Sequence, residues 1–245
     1  MSTSSPAMQK LVDKHPLQRL RSPSRGLSAL VHFLGLSSFM SSFQYLVVHP
    51  NYINDSYGWH FQYLTIIGLT LATVTFLTAS LADITMSPTL FLTKNLLSMT
   101  SAPLEVLIST LYWSLRLIDP ALVVPPELEL PLLPDLGFHA VPSALLAIDL
   151  LFLSPPWTIT ALPAIGVSGA IAFAYWFWLE VCYARNGFYP YPLFAILSTS
   201  QRVGLFCGSA LLMAGMTVCL KRLYGRLNGF GVRGSVSERP GMVKG

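Results

Sequence analysis

Charge is what this chain has least of. Of its 245 residues 11% are charged and 53% hydrophobic, with a mean hydropathy of +0.57, whereas a soluble domain carries nearer ~25% charged residues. That scarcity excludes an ordinary water-soluble globule and puts the chain in a bilayer. Cysteine is scarce too. Cys182, Cys207 and Cys219 lie in or beside apolar runs, which gives no disulfide framework or metal-ligand spacing and leaves them as packing residues. There is no G-x-S-x-G elbow, H-E-x-x-H or H-x-x-x-H pair, and no Gly-rich phosphate loop. His49, His60 and His139 with Asp55 and Asp135 repeat no ligand spacing, so no metal is expected. The net charge of +4 does not point to nucleic acid, because the cations stand at the two ends of the chain.

What is present is apolar length. A helical span needs roughly 20 mostly apolar residues, and six windows supply it: 27–48, 61–82, 99–118, 138–155, 158–182 and 200–221. The expected fold is all-α, a polytopic bundle of six transmembrane helices over 27–223, between flexible basic tails at 1–26 and 224–245. No small-residue cleavage site follows the first window, so it stays as a helix. Lys10, Lys14, Arg19, Arg21 and Arg25 precede the bundle, and Lys221, Arg222, Arg226, Arg233, Arg239 and Lys244 end it. The connector 49–60 has no Lys or Arg, and Lys94 falls in the loop after the second window. By the positive-inside rule both termini face the cytosol, in an internal membrane such as the endoplasmic reticulum. Lys221 and Arg222 would meet anionic headgroups there.

Polar residues inside the windows carry further expectations. Ser37, Ser38, Ser41, Ser42 and Gln44 should face neighbouring helices, and Gly204 with Gly208 should mark a close helix contact. Pro103 is read in the first turn of the third helix, where proline costs little. Asp149 sits among leucines and is expected to be a hydrogen-bonded residue holding its helix to its neighbours. The segment 119–135 has four acids, five prolines and no basic residue. It reads as an interfacial connector in preference to a lid over an apolar substrate.

The stretch 57–83 is the candidate for chemistry. Trp59, Phe61 and Tyr63 mark an interface, and Thr65 follows about one turn below. With helices alternating in direction, Thr65, Arg116, Asp119, His139 and the segment 180–191 lie toward one face. A hydroxyl and an imidazole at one depth are the minimum for nucleophilic catalysis, and apolar surroundings keep the imidazole neutral. The same residues also fit a threonine bonded to its own helix and a histidine cap.

Four spaced patterns over about 58–200 add to this. They are Tyr63-Leu64-Thr65 with Asp83 eighteen residues on, Pro103 with Trp113, His139 with Asp149, and Trp178, Gly187 and Tyr191-Pro192. In these the chain resembles the androgen-induced-gene family, which includes the androgen-dependent TFPI-regulating protein. These are six-helix membrane proteins that hydrolyse fatty acid esters of hydroxy fatty acids. The resemblance implies a carboxylic ester hydrolase with Thr65 as nucleophile and His139 as base, an acyl-threonine intermediate, a lipid substrate and no cofactor. The chain departs from the family's Asn-His-x-x-His, reading Asp135-Leu136-Gly137-Phe138-His139, so the first histidine is absent. Asp149, ~15 Å along the helix from His139, does not complete a triad. Glu180, Asp119 and Asp135 are the candidates to orient the imidazole, and Arg116 to stabilise an oxyanion. The alternatives are a non-catalytic lipid-binding scaffold and, on Glu105, Asp149 and Glu180 within spans, a transporter without visible repeats.

Overall fold

A computed structural model describes residues 26–155, 157 and 159–228; most of the two basic tails lies outside the described residues. The long helices are α1 (Leu27–Val48), α2 (Leu64–Thr85) and α3 (Pro88–Ile118). Next come α4 (Leu132–His139), then α5 (Val141–Ile148), which runs on as a π-helical turn (Asp149–Leu153). They are followed by α6 (Ala161–Asn186), the short α7 (Leu193–Ile196) and α8 (Thr199–Asn228). No strand occurs among the described residues. Four helices, α1, α2, α6 and α8, are long and apolar enough to cross a membrane, and a fifth span is available if the bent pair α4–α5 is one. The chain is therefore an all-α, multi-pass membrane protein. Its outer surface agrees, with Phe33 65%, Leu34 60%, Ile84 65% and Phe177 73% exposed, as suits lipid and not water.

The remaining long helix, α3, departs most from expectation. It begins at Pro88, capped by Ser87, whose side chain accepts from the Leu90 N–H. That is eleven residues before the apolar window 99–118, so Pro103 lies in the helix interior and Lys94 is a buried helical residue, 1% exposed, not a loop cation. Of the polar residues that hid this start, Lys94 is paired inside the protein with Asp149 and Ser154, whereas Asn95 Oδ1 and Ser98 Oγ are buried without a partner among the described residues. α3 packs against both α2 and α8 and so occupies the centre of the bundle.

The sequence places the bends. Met86 and Gly187 take left-handed backbone at the ends of α2 and α6. Pro142 has no N–H, and its ring opposes the Phe138 carbonyl, so the helix breaks at Ala140 with a 43° bend. Close approach comes from Gly35 and Gly68, where an added Cβ would lie 2.4 Å from the Phe76 ring and 2.5 Å from Ile108. Gly204 and Gly208 have nothing within 4 Å, which corrects the reading of that pair as a packing motif. Of the polar residues of α1, Ser42 is buried, whereas Ser37 and Ser41 are exposed and donate to carbonyls one turn back. Cys182 packs in the interior, but Cys207 and Cys219 are exposed.

One end of the bundle is locked by charge. His32 lies between two carboxylates, Nδ1 2.6 Å from Asp83 and Nε2 2.8 Å from Asp149. Lys94 Nζ is 2.7 Å from Asp149 and donates to Ser154 Oγ at 2.6 Å, while Ser28 donates to Asp83 at 2.9 Å. With two protons on the imidazole the charges balance, two against two. The cluster ties the start of α1, the end of α2, the start of α3 and the end of α5 together, so these helices alternate in direction. Asp149 is thus a buried residue holding its helix to its neighbours, with an ion pair added to the expected hydrogen bonds.

Candidate active site

Thr65 lies at the other end, in the first turn of α2, and is 6% exposed. That turn has no side-chain cap of its own. Two phenols from the far side of the bundle take that place: the Leu64 N–H donates to Tyr175 Oη at 3.2 Å and to Tyr191 Oη at 3.1 Å, and Tyr175 donates to the Gln62 carbonyl at 2.9 Å. The Thr65 N–H and hydroxyl also lie beside the Tyr191 phenol and favour charge on its oxygen. Burial raises the Tyr191 phenol above its usual pKa, while these amide and hydroxyl groups act the other way. The hydroxyl of Thr65 is therefore held at the positive end of a helix, beside a phenol that keeps its proton.

Asp135, on α4, carries the imidazole. His139 Nδ1 is 2.9 Å from Asp135 Oδ1, one helical turn away. A proton on Nδ1 donating to that carboxylate leaves Nε2 as the basic nitrogen. Asp135 is itself buried and satisfied, accepting from Tyr112 Oη at 2.6 Å and pairing with Arg116 at 3.2 Å. The Tyr112 ring lies flat on His139, centroids 3.4 Å apart, and the Trp113 indole donates to the His139 carbonyl at 3.3 Å, where the helix breaks. Of the three acids considered for orienting the imidazole, geometry brings Asp135 to it. Asp119 caps Ala121, and Glu180 bonds Trp176, Tyr189 and Arg202. Arg116 is held by Asp135, Glu129 and the Tyr112 hydroxyl and lines neither cavity.

Two cavities meet at Thr65. One, of about 910 Å³ counting the space open at its mouth, runs between α2, α3, α6 and α8 and is lined almost wholly by apolar side chains. The other, of about 600 Å³ counted in the same way, lies under the connectors and is lined by His60, His139 and Leu130, among others. Thr65, Tyr112, Val123 and Tyr191 line both. The 119–135 segment is more than a connector here: Val123, Val124, Pro125 and Leu128 form part of the wall of the second cavity. Thr65 and His139 thus share one cavity, but the hydroxyl lies beside Tyr191 and the imidazole bonds Asp135, with no hydrogen bond between the two among the described residues. Neither Tyr191 nor Tyr112 stands out as a site residue in the sequence, because no spacing announces a phenol arriving from another helix. His60 is also in this wall, 5% exposed, and burial lowers its pKa to about 4, so it is neutral at physiological pH. Among the described residues no His, Cys, Asp and Glu cluster could hold a metal ion.

This architecture defines a class: a multi-pass helical membrane protein with a mostly apolar site near one end of its bundle. Within that class, residues 27–225 match the FAR-17a/AIG1-like protein family. A membrane protein of the UPF0641 group from Schizosaccharomyces pombe is 32% identical over 206 residues, covering 83% of this chain and 92% of its own length. The chain belongs to the FAR-17a/AIG1-like family. No solved structure matches it.

Proposed function

We propose that the protein is a membrane-embedded hydrolase that cleaves fatty acid esters of hydroxy fatty acids, with Thr65 as nucleophile and His139 as base. The observation that carries this reading is the meeting of two apolar cavities at Thr65, one of them also lined by His139. An ester joining two long chains needs an apolar arm on each side of its carbonyl. Thr65 Oγ1 attacks that carbonyl as His139 Nε2 takes the hydroxyl proton. The hydroxy fatty acid departs with that proton, and water activated at the same nitrogen hydrolyses the acyl-threonine. Asp135 keeps Nδ1 protonated, and the Tyr191 O–H is the donor to the forming oxyanion. Purified protein should hydrolyse a long-chain ester of a hydroxy fatty acid faster than the methyl ester of the same acid. Equal rates, or no hydrolysis of either, would count against the two-armed reading.

Tyr191→Phe tests the donor arrangement. It removes the phenol oxygen that accepts from Leu64 and lies beside Thr65, while Tyr175 still accepts from Leu64. We expect kcat to fall about 10²-fold, the usual scale for one oxyanion donor, with KM nearly unchanged. A change confined to KM would show that Tyr191 only shapes the pocket.

A second reading has an observation of its own. The Thr65 hydroxyl lies beside Tyr191 and makes no hydrogen bond to His139, whose Nδ1 is on Asp135, as in a non-catalytic lipid-binding scaffold. Saturable lipid binding without turnover would favour it. A transporter has less support, since Glu105, Asp149 and Glu180 line neither cavity. For orientation we propose that the end carrying Lys221 and Arg226 faces the cytosol, in the endoplasmic reticulum or another internal membrane. Lys94, being buried, does not contribute to this argument. A glycosylation tag at residue 130 should then be modified in the lumen, and a tag reached only from the cytosol would reverse the orientation.

A further inference from the structure

A second cleft opens at the end of the bundle opposite Thr65, between the start of α6 and the last turns of α8. It measures about 1140 Å³, counting the space open at its mouth, and Lys221, Arg222 and Arg226 line it with Thr160, Ala161 and Thr217. These three cations form no ion pair among the described residues. Among the described residues the acids of this end, Asp83 and Asp149, are engaged by His32 and Lys94, and Asp13 lies outside the described residues. Beyond residue 149 the chain's acids are Glu180, paired with Arg202 near the site end, and Glu238, outside the described residues. Lys221 donates to the Ile159 carbonyl, which fixes its ammonium at the wall of the cleft. Thr160 provides no side-chain cap to α6, so the positive end of a 26-residue helix adds to the same field. Beside the cleft Leu162 is 79% exposed and Leu227 54%, on helices that cross the membrane.

We infer that this cleft binds the phosphate of an anionic membrane phospholipid. Lys221, Arg222 and Arg226 surround the phosphate, and the acyl chains lie along the exposed leucines. A free phosphate would use the same cations but gain nothing from those leucines, which favours the lipid as the source. The site is independent of the hydrolase reading and lies at the other end of the molecule.

The test uses the full chain in nanodiscs of phosphatidylcholine and phosphatidylglycerol, with retained lipid counted by native mass spectrometry. Wild type should retain phosphatidylglycerol. Arg222→Gln with Arg226→Gln should weaken retention roughly 30-fold, the ordinary contribution of two cations at an anionic surface. Both side chains are exposed, so the fold should persist. Arg19→Gln, Arg21→Gln and Arg25→Gln together remove more charge but leave the cleft intact, and should change retention little. Ala161→Asp supplies a second test: a carboxylate suits the first turn of a helix but repels phosphate from the cleft, so it too should abolish retention. Equal loss in the tail and cleft variants would mean diffuse surface charge and overturn the site, as would full retention in Ala161→Asp. In detergent, inorganic phosphate binding with the same arginine dependence, but without retained phosphatidylglycerol in the nanodisc, would overturn the lipid source.

Discussion

Thr65→Ala abolishes ester hydrolysis and covalent labelling by a fluorophosphonate together, if the site works as proposed. No second hydroxyl is equivalent. Tyr175 and Tyr191 lie beside the same helix start, but each is occupied with its amides or carbonyls. A nucleophile contributes the bond-forming atom itself, so the loss should exceed that of His139→Ala, where a base is usually worth ~10² to 10⁴ in rate. The double variant should be hardly worse than Thr65→Ala alone, because the two act on one step. Thr65→Ser keeps the oxygen at the positive end of α2 and removes a methyl, so labelling and part of the activity should survive. Purified, folded Thr65→Ala with wild-type turnover would remove the threonine mechanism and leave the lipid-binding scaffold.

Asp135 decides how far the departure from the family pattern matters. Leu136 stands where the family has its first histidine, and no polar partner replaces it at that position. His139 is nevertheless anchored, through Asp135 one turn earlier and through the flat contact with Tyr112. The orientation of the remaining imidazole is therefore supplied by a carboxylate, a phenol ring and the break at Pro142.

The apolar windows at 27–48 and 61–82 correspond to α1 and α2 within a few residues, because those helices bury one side and give the rest to lipid. A hydropathy average fails where the logic is reversed. α3 is central, so Ser87 through Ser98 read as a polar loop although Lys94, Asn95 and Ser98 are buried. The partners of Lys94, Asp149 and Ser154, come from the π-helical turn after α5 and its end, and no spacing within α3 reveals them. His32 is hidden in a similar way: one histidine in an apolar run has no signature until two carboxylates from distant segments close on it. At the other end, helix alternation was enough to bring Thr65 and His139 to one face. The tyrosines between them depended on the path of the chain after Gly187. Pro142 was a legible break, and its consequence, an imidazole at the bend, needed the neighbouring α3 to appear.

The charged lock at the far end should be the most sensitive part of the fold. Asp149 is fully buried and accepts from both Lys94 and His32. Asp149→Leu leaves an ammonium and an imidazole facing hydrocarbon, and breaking a buried pair by removing one partner costs roughly 3 to 5 kcal/mol. In detergent this should lower the unfolding temperature by on the order of 10 °C. Asp149→Asn keeps the shape and one acceptor oxygen, so its cost should be smaller than that of leucine. Lys94→Met alone leaves Asp149 with His32 and Ser154 and should also destabilise. Combined with Asp149→Leu it should recover part of the loss, since neither charge is then stranded, giving a coupling of roughly 2 kcal/mol or more within the range found for groups in contact. Additive effects of the two changes would mean that the pair is not a unit. If Asp149→Asn instead ended hydrolysis while the unfolding temperature stayed at the wild-type value, Asp149 would act in the reaction and the structural assignment would fail.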